Sequence, residues 1–267
     1  MNGPLIRWLN LVLALAEVIA ANALDSLGWG LSIADRSLAV DHAGVPGGAA
    51  FAIWGLIYPA VLAYAVYQVL PRNRDRPLLV AVRGPMALAM GANTLWPIYV
   101  QAAGLAPPSV PLILAILVPL LVALRRVERA RRTPGAGLTR AERAFVRWPI
   151  GLFAGWLTAA TFVNLASTAK YVGGLGLSEP SWVLIEVVGA GLVATVVTAG
   201  TRGSLPYVAG VAWALGWVIA RNAEAPVNRP VVVWAGAMLG LLAVGLVAGS
   251  SMNDRAASVP RHPASRH

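Results

Sequence analysis

Apolar runs of 15 to 22 residues recur along this chain, separated by short polar or glycine-proline breaks. A helix that crosses a hydrocarbon core needs about twenty apolar residues. The pattern predicts eight such helices: Leu5–Leu24, Ala49–Leu70, Pro85–Ala103, Val110–Leu124, Trp148–Ala169, Trp182–Ala199, Pro206–Ala220 and Val231–Gly249. The fourth and seventh are the shortest. Pro59, Pro97 and Pro119 fall inside runs, which a membrane helix tolerates when its neighbours re-satisfy the backbone. Between the first two runs lies a long polar stretch, Asp25–Gly48, holding Asp25, Asp35, Arg36, Asp41 and His42. Loops of that length are functional or disordered, so it reads either as a lid over a pocket or as a solvated tether. The polar tail, residues 251–267, carries Pro260 and Pro263 and is expected to be disordered.

Composition narrows the class. Hydrophobic residues make up 58% of the chain and charged residues 12%, roughly half the charge of an ordinary soluble domain. The chain therefore reads as an all-α polytopic membrane protein. Its net charge of +10 is concentrated in a few loops. With the N-terminus inside and eight spans, 17 basic residues fall on the cytoplasmic side and four (Arg36, Lys170, Arg221, Arg229) on the other. That bias orients the chain with both termini cytoplasmic, in what is expected to be a bacterial plasma membrane. The basic stretch 125–147 reads as a solvated face near anionic lipid heads rather than a nucleic-acid site. The absence of cysteine excludes disulfides, thiolate metal sites and thiol catalysis.

The candidate chemistry is sparse. Phe51, Trp54 and Tyr58 are three and four residues apart and form one helical stripe. The stripe fits a flat apolar ligand, a tightly packed neighbour or an interfacial aromatic belt. Glu17 and Glu186 are the two acids well inside spans. Intramembrane carboxylates are costly and mark functional positions, although Glu186 lies four residues after Trp182, near the end of its span, where it can snorkel. Asn22, Asn93, Thr94, Thr158, Thr161 and Asn164 are polar groups that can bridge helices or meet a ligand. His42, His262 and His267 lie outside the spans, so no buried His cluster for a metal or haem iron is expected. No P-loop, dinucleotide fingerprint or nucleophile elbow is present. Ala87-x-x-x-Gly91 and Gly236-x-x-x-Gly240 are small-residue faces that suit either internal packing or a dimer.

Three segments carry a family resemblance. FAIWGLIY in the second span matches a Phe-x-x-Trp-x-x-x-Tyr motif at Phe51, Trp54 and Tyr58. NTLWPIY in the third matches Asn-x-x-Trp followed by proline and an aromatic at Asn93 and Trp96, with Pro97 one position early. WLTAATFVN in the fifth matches at Trp156, Ala160, Thr161 and Asn164, with Thr158 in place of serine. Together, in this order, they resemble the tryptophan-rich sensory protein or translocator protein (TspO/MBR) family. That resemblance covers residues 1–172. It implies a five-helix transmembrane ligand-binding bundle, with haem or protoporphyrin as ligand, and a tendency to form homodimers. It assigns ligand binding to Trp54, Tyr58, Asn93, Trp96, Trp156 and Asn164. Two departures stand out. Leu152 and Phe153 occupy positions where the family has Pro-Tyr, and Tyr171 is followed by VGGLG without the base that a sterol motif needs.

The resulting expectation is a five-helix bundle over 1–172 with a three-helix extension over 173–250. It would act as a non-enzymatic receptor or transporter for porphyrin-like ligands, with a regulatory or stress-related role implied by the resemblance. It would need no cofactor or metal and would meet membrane lipid but no nucleic acid. The alternative is a proton-coupled transporter of small amphiphiles using Glu17 or Glu186; an intramembrane tetrapyrrole-modifying enzyme ranks third. If residues 1–172 hold the pocket, a chain cut after Gly174 should retain it.

Overall fold

The computed structural model describes residues 4–27, 32–40, 42–133, 137–224 and 226–258, and no strand occurs among them. Each predicted apolar run is a helix. In chain order these are α1 (Pro4–Ser26), α3 (Trp54–Val69), α4 (Pro77–Ala103), α5 (Ser109–Arg131), α7 (Trp148–Tyr171), α8 (Glu179–Gly200), α9 (Leu205–Ala223) and α10 (Arg229–Ser258). A short α2 (Ile33–Ala39) and a 3-10 turn (Gly48–Ile53) lie between α1 and α3. A single turn, α6 (Arg140–Glu142), passes through a π-helical stretch, Arg143–Arg147, into α7. Among the described residues, seven helices are long and apolar enough to cross a membrane. The run predicted at Pro206–Ala220 is the exception. It forms α9, whose 19 residues include Arg221 and Asn222 near the end, and no stretch of it is long and apolar enough to be counted with the seven.

Helix α7 is the hub. On one side α1, α3, α7, α5 and α4 pack in succession around a closed ring; on the other α7 packs against α8 and α9, which α10 covers. The α7–α9 crossing is backbone on backbone. A Cβ on Gly155 would overlap the Tyr207 carbonyl, and one on Gly210 would lie 2.5 Å from the Leu152 carbonyl oxygen. Small residues allow this approach, and van der Waals contact is what drives helix association in lipid. Gly151-x-x-x-Gly155 is thus a packing motif that the sequence reading passed over. The Gly236 and Gly240 face is open, with nothing within 4 Å of either, whereas Gly91 meets Leu13 of α1 at 3.9 Å.

Several predicted boundaries shift: α3 begins at Trp54 rather than Ala49, α8 at Glu179 rather than Trp182, and α9 runs to Ala223 rather than Ala220, but the shifts with most consequence lie at the arginine-rich end. Helix α4 starts at Pro77, eight residues before the predicted Pro85, so Arg83 lies inside it. Its guanidinium is buried and donates to Gln68 Oε1 (3.0 Å), the Arg74 carbonyl (2.8 Å) and the Gln68 carbonyl (3.2 Å). Helix α5 runs on to Arg131. Its Glu128 is wholly buried, paired with Arg131 (2.5 Å) and Arg147 (2.8 Å) and accepting from Ser204 Oγ (2.7 Å). The stretch 125–147 is therefore not a plain solvated face: part of it is an internal ion-pair cluster that ties α5, α7 and the α8–α9 turn together. Thr139 and Glu142 form a capping box that restarts the helix there. At the other end Gly104, with φ +74°, terminates α4 by returning its N–H to Val100.

The long first connection is not a bare tether. Ser32 caps α2 by accepting from the Asp35 N–H at 3.1 Å, and Arg36 donates to the Gln101 carbonyl. The side chain of Asp25, and Asp41 altogether, lie outside the described residues. The tail expected to be disordered from residue 251 begins as the last turns of α10, to Ser258; the remainder lies outside the described residues.

Candidate functional site

The aromatic stripe predicted on α3 meets α7. Trp54 stacks on Tyr58 (centroids 4.9 Å, 22°) and stands edge-on to Phe153 (5.9 Å) and Trp156 (6.3 Å). Phe51 stands edge-on to Trp156 at 5.9 Å. Such T-shaped and offset contacts are the favoured aromatic geometries. Phe153 fills this cluster from one of the two positions where the family pattern has Pro-Tyr.

This cluster walls a small cavity. Of the six predicted ligand positions, Trp54, Asn93, Trp96, Trp156 and Asn164 line it; Tyr58 does not, and backs Trp54 instead. The cavity volume is about 50 Å³, room for one or two waters, whereas sites for drug-sized ligands measure roughly 300–1,000 Å³. Its wall is overwhelmingly apolar, and the exceptions are informative. Trp96 Nε1, Trp156 Nε1 and Asn164 Nδ2 are buried donors with no protein partner. Asn164 spends its oxygen on Ser109 Oγ (2.9 Å), which leaves the amide N–H groups over. Asn93 donates to Glu17 Oε2 at 3.0 Å. Glu17 thus sits behind the wall, fully buried, with its second oxygen unpartnered.

The cavity does not respect the predicted division at residue 172. Glu186, Val187 and Ala190 of α8 and Ala214, Leu215 and Val218 of α9 complete its wall. A chain cut after Gly174 would lack that part of the wall. Periodicity on a single helix carries no information about which helix another will face, and for that reason the five apolar positions were not legible in sequence, whereas Glu186 stood out as an acid within a span.

Glu186 and His42 depart furthest from the sequence reading. Glu186 does not snorkel: it is 3% exposed, and its Oε2 lies 3.3 Å from Nδ1 of His42, which is equally buried. Nε2 of His42 lies 3.0 Å from Ser167 Oγ. His42 is outside the helices, as its position implies, yet it is enclosed by them. Ser, His and Glu in this order invite comparison with a nucleophilic triad. Ser167, however, is wholly buried and lines neither this cavity nor the one beside His42. No group of three metal-ligating side chains occurs among the described residues.

Residues 7–248 match a family model described as TSPO-like protein. The match runs through the last three helices as well as the first five. No curated protein and no solved structure matches the chain.

Proposed function

Because the chain belongs to the TSPO-like protein family, and is an integral multi-pass membrane protein on its run of apolar helices, we propose that it is a receptor or transporter that binds a hydrophobic, porphyrin-like ligand in the cavity between α3, α4, α7, α8 and α9. The observation that carries this reading is the set of idle donors on an aromatic wall: Trp96 Nε1, Trp156 Nε1 and Asn164 Nδ2. A buried donor without a partner costs about 1–3 kcal/mol. A flat apolar ligand with acceptor atoms at its edge satisfies those donors and covers the rings. The cavity is too small for a tetrapyrrole as it stands, so binding on this reading includes an expansion of the site. The role is regulatory or stress-related by family resemblance, and the protein is read as non-enzymatic, with no cofactor of its own.

The test is a titration of purified protein with protoporphyrin, haem and a sterol. Both tetrapyrroles should bind, and comparably, since among the described residues no His, Cys or Tyr lines this cavity; the sterol should not. Failure of both tetrapyrroles to bind would sink the proposal. The runner-up, a proton-coupled transporter, draws support from Glu186 on the cavity wall and Glu17 behind Asn93. It requires gradient-driven uptake in vesicles that disappears in Glu17→Gln or Glu186→Gln. We further read α9 as an eighth span, both termini as cytoplasmic, and the open Gly236–Gly240 face of α10 as the surface for a homodimer.

A further inference from the structure

We infer that Arg129, Arg132 and Arg202 form a site for the phosphate headgroup of an anionic phospholipid, at the point where three helices end. The apolar stretches of α5, α8 and α10 finish at Arg131, Gly200 and Ser251, and these ends meet. Arg131 of α5 donates to the Arg202 carbonyl at 3.3 Å, and Ser204 Oγ donates to Glu128 of α5 at 2.7 Å. From the other side, a Cβ on Gly249 of α10 would lie 2.5 Å from the Arg202 carbonyl carbon. The turn between α8 and α9 is thus clamped between α5 and α10, at the height where hydrocarbon gives way to headgroups.

Arg202 is held there in a conformation that favours another residue. The Gly203 N–H returns to the Thr198 carbonyl at 2.9 Å and the Arg202 N–H to the Ala199 carbonyl at 3.0 Å. That pair of bonds closes the end of α8 and puts Arg202 at the left-handed position that glycine usually fills. Its φ is +50°, and Gly203 follows at +76°. A side chain there costs backbone strain, and such strain points to a use for the side chain.

Guanidinium groups crowd around it. Burial, together with the like charges of Arg202, Arg131 and Arg129, holds the Arg132 side chain below its ordinary pKa. Glu128 acts the other way, but it already holds Arg131 and Arg147. Arg129 and Arg202 are exposed and Arg132 half-buried, so an external group can reach all three. A phosphate relieves the repulsion, and guanidinium forks match its oxygens in pairs. The place of the cluster at the span ends selects a lipid headgroup over a soluble anion, because basic residues beside a span are drawn to anionic lipid. The broad basic face read along 125–147 narrows to one site, with Arg202 added from the α8–α9 turn.

The test is a thermal melt of the purified protein in neutral detergent, with phosphatidylglycerol or phosphatidylcholine added at equal mole fraction. Phosphatidylglycerol should raise the midpoint by about 5 °C over phosphatidylcholine, the order expected for a ligand well above its dissociation constant. Arg202→Gly should melt at or above wild type without lipid, because glycine adopts this φ freely, yet lose most of the phosphatidylglycerol increment. A merely structural Arg202 would show the reverse, a lower lipid-free midpoint with the increment intact, and that result overturns the site. Arg132→Gln should lose the increment too and decides the matter if Arg202→Gly does not fold. Arg74→Gln removes one exposed charge at the same end of the bundle and should keep the increment; equal loss there would show a diffuse charge effect and overturn the site. Inorganic phosphate should leave the midpoint unmoved, and a shift as large as that of phosphatidylglycerol would overturn the lipid as partner.

Discussion

Trp156 does two jobs that substitution can separate. Its ring is 3% exposed and packs edge-on against Phe51 and Trp54, while its indole N–H has no partner. Trp156→Ala removes both and should cost about 3–5 kcal/mol of stability, the range for emptying a buried Trp site. Trp156→Phe keeps most of the apolar face and discards only the idle donor. It should unfold near the wild-type temperature yet bind protoporphyrin weaker by about 0.5–1.5 kcal/mol, the worth of one hydrogen bond. Trp234→Ala, at a residue that lines the cleft between α8 and α10 and not this cavity, should change neither thermal unfolding nor binding. At this scale the sequence was informative where a residue's neighbours lie on its own helix, as for Trp54 and Tyr58; Phe51, on the 3-10 turn before α3, meets Trp156 of α7 instead. It was silent on the burial of His42, which meets Ser167 of α7, Glu186 of α8 and Arg221 of α9.

At the scale of elements, the apolar runs located every helix but misplaced the ends that carry arginine. The reason is pairing. Arg83, Arg131 and Arg147 remain helical because Gln68, backbone carbonyls and Glu128 satisfy them, and hydropathy cannot see a partner that is remote in sequence. Removing one member of such a cluster leaves the others buried and uncompensated, at about 3–5 kcal/mol. Glu128→Ala should therefore lower the detergent melting point markedly, and a melting point equal to wild type would show the cluster to be dispensable. The α7–α9 crossing makes a second demand. Gly155→Ala forces a Cβ into the Tyr207 carbonyl and should cost about 1–3 kcal/mol, as overpacking does. Gly240→Ala, with open space around it, should be neutral or slightly stabilising in the monomer. Circular-dichroism melts of the pair make the comparison.

For the whole molecule, the outstanding matter is how many times the chain crosses the membrane and which way round. Ser37 is a poor reporter because it is buried; Leu177 and Thr133 are exposed at opposite ends of α7 and its preceding segment. In intact cells Leu177→Cys should react with an impermeant maleimide and Thr133→Cys should not. Ser251→Cys, exposed in α10, should also stay unlabelled if α9 crosses. Labelling at Ser251 would reduce the count to seven and place the C-terminus outside.

The small volume of the cavity has a kinetic corollary. If the shut form dominates, an incoming molecule waits for the protein rather than the protein for the molecule. The observed association rate should then climb with ligand concentration only to a ceiling, the opening rate itself, and chemically different ligands should share that ceiling. Their measured affinities would all be weakened by one common factor, the inverse of the open fraction. Stopped-flow traces with protoporphyrin and haem that level off at the same rate would reveal the factor.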